Sequence, residues 1–177
     1  MAGGLHEAPD MELLQSINNT AFSQWVRESD SLLAYPAFIT LHTAGLAVLV
    51  GINAIANALV LSASPGRTIA PVARFFPLMW AGFAVNAVTG VVLVAADATT
   101  MVVNPVMWVK LGFVVAAIVL LRRIERGVFS SALASSDAPV DGTGRMLALA
   151  SFACWFGAIA AGRLTAYLGP VAGLLEG

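Results

Sequence analysis

Charge is the scarcest commodity in this sequence. Lys and Arg together number 9 and Asp and Glu 10 in 177 residues, or 11% charged, for a net charge of −1. A soluble domain carries about 25% charge. No basic surplus is present to meet a polyanion, so nucleic acid is excluded as a partner. Cysteine is nearly absent as well. Cys154 stands alone inside an apolar run, which rules out an internal disulfide and leaves the redox compartment unmarked. There is no C-x-x-C, H-E-x-x-H, G-x-S-x-G, Walker or dinucleotide pattern, and no pair of carboxylates inside an apolar stretch. The chain is therefore not expected to be an enzyme by itself. The start, MAGGLHEAPDMELLQ, has no basic segment leading into an apolar run, so neither a cleavable signal peptide nor a lipidation motif is expected, and insertion would rely on the first spanning helix.

What remains is apolar: 59% of the residues are hydrophobic and the mean hydropathy is +0.85. The stretch from Tyr35 to Ser62 contains no Asp, Glu, Lys or Arg and exceeds the about 20 residues that span a bilayer as helix. Within it, His42, Asn53 and Asn57 fall on one face, His42 and Asn53 about 20° apart and Asn57 about 60° from His42. Lipid satisfies neither an imidazole nor an amide, so this face must turn toward protein, water or a cofactor.

The expected fold class is all-α: a polytopic membrane protein, an antiparallel bundle of four transmembrane helices preceded by a surface helix. Residues 1–31 form the N-terminal segment, with a loose tail over the first ten or so. An amphipathic helix then runs from Asp10 to Ser31, either lying on the membrane or capping the bundle. Residues 32–177 form one transmembrane domain with helices at about 33–62, 72–96, 105–121 and 146–168. The connections SASPGRTIAP, DATTMVVNP and FSSALASSDAPVDGTG separate them, and Pro105 suits a first helical turn. Arg67 and Arg74 lie in the first connection and Arg122, Arg123, Arg126 and Arg145 in the third. The excess of base puts both of these in the cytoplasm and both termini in the periplasm of a bacterial inner membrane. The arginine cluster has anionic lipid as its default partner.

With that topology and a rise of about 1.5 Å per residue, His42 lies roughly 10 Å in from the outer end. Thr89, Gly90, Gly112, Ala161 and Gly162 fall near the same level, Lys110, Arg163 and Asp97 lie a turn further out, and Asn86 a turn deeper. His42, Asn86, Lys110 and Arg163 are thus the candidate pocket residues, with Asp97 at the mouth; the inner half is expected to be mostly Ala, Val, Leu and Ile. His42 has two readings, a structural histidine bonded to a backbone carbonyl or to Asn86, or a ligand or proton carrier. The candidate occupants are haem b, a quinone head group or a metal ion held by His42. Lys110 and Arg163 can snorkel, pair with Asp97, or meet an anionic group such as a propionate.

The runs LHTAGLAVLVG, FPLMWAGFAVNAVTGVVLVAADA, NPVMWVKLGF and AGRLTAY give the chain a resemblance to an uncharacterised family of small four-helix bacterial integral membrane proteins. More loosely, it is similar to the four-helix haem-b membrane cytochromes and the copper-resistance inner-membrane proteins. That resemblance implies a membrane subunit of a redox- or metal-related assembly, working as a homo-oligomer or with other membrane subunits. The sequence departs from the cytochromes in having one embedded histidine where they use two, so bis-histidine haem within one chain is not expected. A five-coordinate haem, a His–Met site or a haem shared between subunits stays open. The alternatives are a small-solute or proton transporter and a purely structural subunit without cofactor.

Overall fold

The computed structural model describes residues 9–64, 68–134 and 140–167. The expected loose tail, His6, Arg67 and the closing Gly-Pro segment lie outside those residues. Every regular element described is helical: α1 (Pro9–Asn18), α2 (Ala21–Glu28), α3 (Tyr35–Leu61), α4 (Phe76–Ala96), α5 (Ala98–Met101), α6 (Pro105–Ile124), α7 (Ser130–Ala134) and α8 (Gly142–Tyr167). A 3-10 turn, Ala70–Phe75, leads into α4, and a π turn, Glu125–Phe129, joins α6 to α7. This makes four spans, Tyr35–Leu61, Ala70–Ala96, Pro105–Ala134 and Gly142–Thr165, that are long and apolar enough to cross a membrane.

Local chemistry explains the boundaries. Proline sits in the first turn of α3, α4 and α6, where its missing N–H costs nothing. Asn104 caps α6 by accepting from the Val106 N–H at 2.9 Å. The Asp141 carboxylate accepts from the Gly144 N–H at 2.7 Å at the start of α8. Two boundaries differ from the sequence expectation. The single N-terminal helix is two, because Thr20 accepts from the Ser23 N–H and starts a new helix after the polar Asn18-Asn19. The third span does not stop at Leu121. It continues to Ala134, since the segment after the arginines buries Phe129 and Ala132, a packing term that the small-polar composition of FSSALASS concealed.

The helices pack in the order α4, α3, α8, α6, each neighbour antiparallel. His42 and Gly45 near the start of α3 meet Gly90 and Gly82 of α4. Asn53 of α3 meets Ser151 of α8, and Ala63, just past the end of α3, meets Arg145 of α8. Lys110 and Phe113 of α6 meet Gly162 and Gly157 of α8. α4 meets the third span at the arginine end, where Phe76 packs edge-on to Phe129 at 5.0 Å and the Trp80 N–H donates to Glu125 at 3.3 Å. The buried apolar core, including Val60, Phe76, Met79, Leu121, Ile124 and Phe129, is concentrated toward this end. At the other end the cover comes from α1 and α2, which pack against α5 and α4. Arg27 donates to the Ala96 carbonyl at 2.7 Å, and Asn18 accepts from the Ala98 N–H at 3.2 Å. The paired helices α1 and α2 therefore pack at the end of α4 and on the short α5, with Phe22 edge-on to Phe38 of α3.

The sides of the long helices are apolar and open. Phe156 is 76% exposed, Val91 70% and Val88 65%. A soluble monomer does not normally leave so continuous an apolar surface to water, whereas lipid solvates it without penalty.

Candidate functional site

The expected site begins at the α3–α4 crossing. A Cβ on Gly45 would stand 2.8 Å from the Gly82 carbonyl and 2.9 Å from the Asn86 nitrogen, so the backbones approach as closely as two glycines permit. That approach brings His42 and Asn86 into reciprocal contact. The Asn86 Nδ2 donates to the His42 carbonyl at 2.8 Å, and the His42 Nδ1 lies 2.9 Å from the Asn86 carbonyl. A carbonyl only accepts, so Nδ1 carries the proton. The Thr89 hydroxyl, 3.2 Å from the same nitrogen, donates its own proton to the Val85 carbonyl at 2.7 Å and offers a lone pair to Nδ1–H. The Asn86 Nδ2 is 3.3 Å from Nδ1, a near approach of two donors and not a bond.

Fixing the proton on Nδ1 fixes the chemistry of the other nitrogen. Nε2 keeps its lone pair and has no hydrogen-bond partner among the described residues. The ring is half-buried, with Cε1 against Gly90, where a Cβ would come within 3.0 Å. A backbone carbonyl on Nδ1–H is also the arrangement that orients a histidine for ligation through Nε2. The same two bonds serve a purely structural histidine equally well, so both sequence readings of His42 meet in one geometry.

The other candidates divide. Lys110 is partly buried and its aliphatic stem lies along Gly162, with Cε 3.6 Å from where a Cβ would be. It forms no ion pair with Asp97, and the ion pairs among the described residues are Arg27–Glu28 and Arg122–Glu125. Arg163 is exposed and makes no hydrogen bond or ion pair with His42, Asn86 or Lys110 among the described residues. Gly112 faces open space. Among the described residues no group of three His, Cys, Asp or Glu is placed to hold a metal ion. A groove of about 360 Å³ lies between α6 and α8, running past Val109, Phe113 and Gly157, and a pocket of about 410 Å³ lies at the arginine end; neither is lined by His42.

A second polar cluster joins two amides that the sequence marked to a serine that it did not. The half expected to be mostly Ala, Val, Leu and Ile contains Asn53, Asn57 and Ser151, all fully buried. Asn53 Oδ1 accepts from Asn57 Nδ2 at 2.9 Å and from the Ser151 hydroxyl at 3.1 Å. Asn53 Nδ2, Asn57 Oδ1 and the Trp155 indole N–H remain buried without a partner among the described residues. The face shared by His42, Asn53 and Asn57 signalled the two amides. Ser151 carried no signal, because serine in an apolar helix usually bonds its own backbone.

The described residues thus define an all-helical fold with four helices long and apolar enough to cross a membrane, and among them His42 is a half-buried imidazole whose Nε2 has no hydrogen-bond partner. No protein-family model, curated protein or solved structure matches the chain, so nothing bears on the resemblance beyond the residues that suggested it.

Proposed function

We propose that this chain is a multi-pass bacterial inner-membrane protein that serves as the membrane subunit of a redox-related assembly, with His42 presenting Nε2 to a quinone-type head group in the periplasmic half. The observation that carries this reading is the division of labour on the imidazole: Nδ1–H is engaged by the Asn86 carbonyl, and Nε2 is left as an acceptor. A hydroquinone hydroxyl can donate to that lone pair, and the Lys110 ammonium, read from the sequence as a turn further out, is the candidate partner for a second oxygen. The half-burial of His42 in a helix whose exposed sides are apolar suits a ligand that diffuses in the bilayer. Haem b is the second occupant to test, since two copies facing each other would supply two axial imidazoles that one chain lacks. A metal ion held by His42 would likewise need ligands from beyond the described residues.

The test is made on protein purified in mild detergent. Quinone extracted from the preparation should be reduced severalfold in His42→Ala, with the helical content unchanged. A Soret band in the dithionite-reduced spectrum that disappears in His42→Ala would replace the quinone with haem. Colourless protein carrying no quinone, and no metal by elemental analysis, would overturn the reading and leave the His42–Asn86 contact as a structural clamp. The rival small-solute or proton transporter draws support from the buried Asn53–Asn57–Ser151 cluster. A lone monomer that moves solute in liposomes would favour that rival over a subunit.

The orientation is tested separately. The described arginines Arg74, Arg122, Arg123, Arg126 and Arg145 lie within the helical segments toward one end of the four spans, and the positive-inside rule assigns that end to the cytoplasm. A reporter active only in the cytoplasm is expected to give no signal when fused after Gly177 and a strong one when inserted at Asp141. The opposite pattern would invert the topology without changing the helices.

A further inference from the structure

The pocket of about 410 Å³ at the arginine end is separate from the His42 site. Its volume falls within the about 300–1,000 Å³ range of small-molecule sites. Its polar lining is Arg122, Glu125, Arg126 and Ser130, and its apolar lining includes Phe76, Phe129 and Leu133. The π turn Glu125–Phe129 contributes to both kinds of lining, and such turns gather at functional positions.

The charges in the polar lining are not equivalent. The Arg122 guanidinium stacks over the Trp80 ring at 3.7 Å and lies 3.5 Å from Glu125, which also accepts from the Trp80 N–H. Arg122 is thereby held in place and partly neutralised, and the carboxylate is engaged by both. Arg126 has no ion pair among the described residues and is the uncompensated cation of the pocket. A preset guanidinium and a free one, with apolar lining in the same pocket, match a ligand with an anionic oxygen-rich head and a hydrocarbon body. Guanidinium forks pair with phosphate through two parallel N–H···O bonds. The same end bears Arg74, Arg123 and Arg145, against Asp141 as the further described carboxylate, so the local field also draws anions.

We propose that this pocket binds the phosphoryl head of an anionic phospholipid, with Arg126 and Arg122 on the phosphate and the acyl chains leaving along Phe76, Phe129 and Leu133. This goes beyond a diffuse attraction of the arginine cluster for acidic lipid, because it assigns one lipid to one pocket. It rests on the four helices spanning a bilayer, but not on the occupant of His42.

Full-length protein, delipidated in nonionic detergent, is to be titrated with phosphatidylglycerol, phosphatidylcholine or inorganic phosphate and followed by native mass spectrometry. One phosphatidylglycerol should be retained in preference to phosphatidylcholine. Arg126→Gln should weaken retention by about tenfold or more, the effect of losing a charge-assisted contact, and Arg126→Lys by less. Arg126 is exposed, so its replacement should leave the fold intact. Equal retention of the two lipids, or retention unaffected in Arg126→Gln, would overturn the proposal. Binding of inorganic phosphate that depends on Arg126, without preference among lipids, would reject the lipid and assign the pocket to a soluble phosphate compound. Protein recovered in the aqueous fraction without detergent would remove the premise of a spanning bundle, an outcome distinct from detergent-requiring protein that ignores phosphatidylglycerol.

Discussion

Gly45→Ala is expected to be among the most damaging single-methyl additions in the chain. The new Cβ would meet the Gly82 carbonyl at 2.8 Å and the Asn86 nitrogen at 2.9 Å, both backbone atoms that no rotamer change can move. The α3 and α4 axes must separate, and the His42–Asn86 bonds, at 2.8 and 2.9 Å, lengthen with them. Overpacking of this kind costs about 1–3 kcal/mol, and lost interhelical hydrogen bonds add roughly 0.6 kcal/mol each. For a chain of this size that corresponds to a fall in Tm on the order of 2–10 °C in detergent. Gly51→Ala is the internal control. It lies on the same helix, nothing stands within 4 Å of its would-be Cβ, and alanine is the better helix former. Thermal unfolding of the two variants side by side should give a clear loss for position 45 and no loss, or a gain of about 0.4–1 kcal/mol, for position 51. Equal effects at the two positions would mean that the close crossing is not a feature of the folded protein.

The second large effect is expected at Asn53. Its Oδ1 is the shared acceptor for Asn57 and Ser151. Asn53→Val would strand the Asn57 amide and the Ser151 hydroxyl in an apolar interior, at about 1–3 kcal/mol for each group left unsatisfied. Asn53→Asp would instead place a carboxyl group deep in the span, where an ionised side chain costs about 2.5–3.5 kcal/mol even on the more lenient insertion scale. The triple replacement Asn53→Val, Asn57→Val, Ser151→Ala removes the whole network and the orphaned Asn53 Nδ2 and Asn57 Oδ1 with it. It should recover most of the loss, because a wholly apolar contact leaves no buried polar atom unpaired. Denaturation in mixed micelles checks the ordering. A triple variant less stable than Asn53→Val would show that the cluster stabilises the bundle through interactions that pairwise deletion does not remove. If that triple variant also stopped solute movement in liposomes while leaving quinone content unchanged, the cluster would belong to a path distinct from the His42 site.

The two effects depend on different physical terms. At Gly45 the governing term is steric, because two backbones in van der Waals contact have no freedom to yield. At Asn53 it is electrostatic, because an amide in hydrocarbon has no water to fall back on. Both lie on α3, the central helix that packs against α4 on one side and α8 on the other.

The sequence by itself determined the helical class, the four spans and the residues that punctuate them. Hydropathy does this because a bilayer demands about 20 apolar residues per crossing, and proline, glycine and capping side chains mark the ends without reference to the rest of the chain. It also picked out His42 and Asn86 as a pair, since spans with short connections and antiparallel neighbours place known depths side by side. Only the tertiary structure decided which nitrogen of His42 is committed, because that depends on the Asn86 carbonyl standing 2.9 Å away across a glycine crossing. Helix rotation was equally beyond reach. Arg163 shares a level with the candidate pocket but points outward, while Lys110 turns inward along Gly162. Depth is a one-dimensional quantity that sequence order supplies, whereas the facing of a side chain is set by packing between helices far apart in the chain. For the same reason Ser151 joined Asn53, and Arg122 found Trp80, only once α8 and α6 had been brought against helices that precede them by many residues.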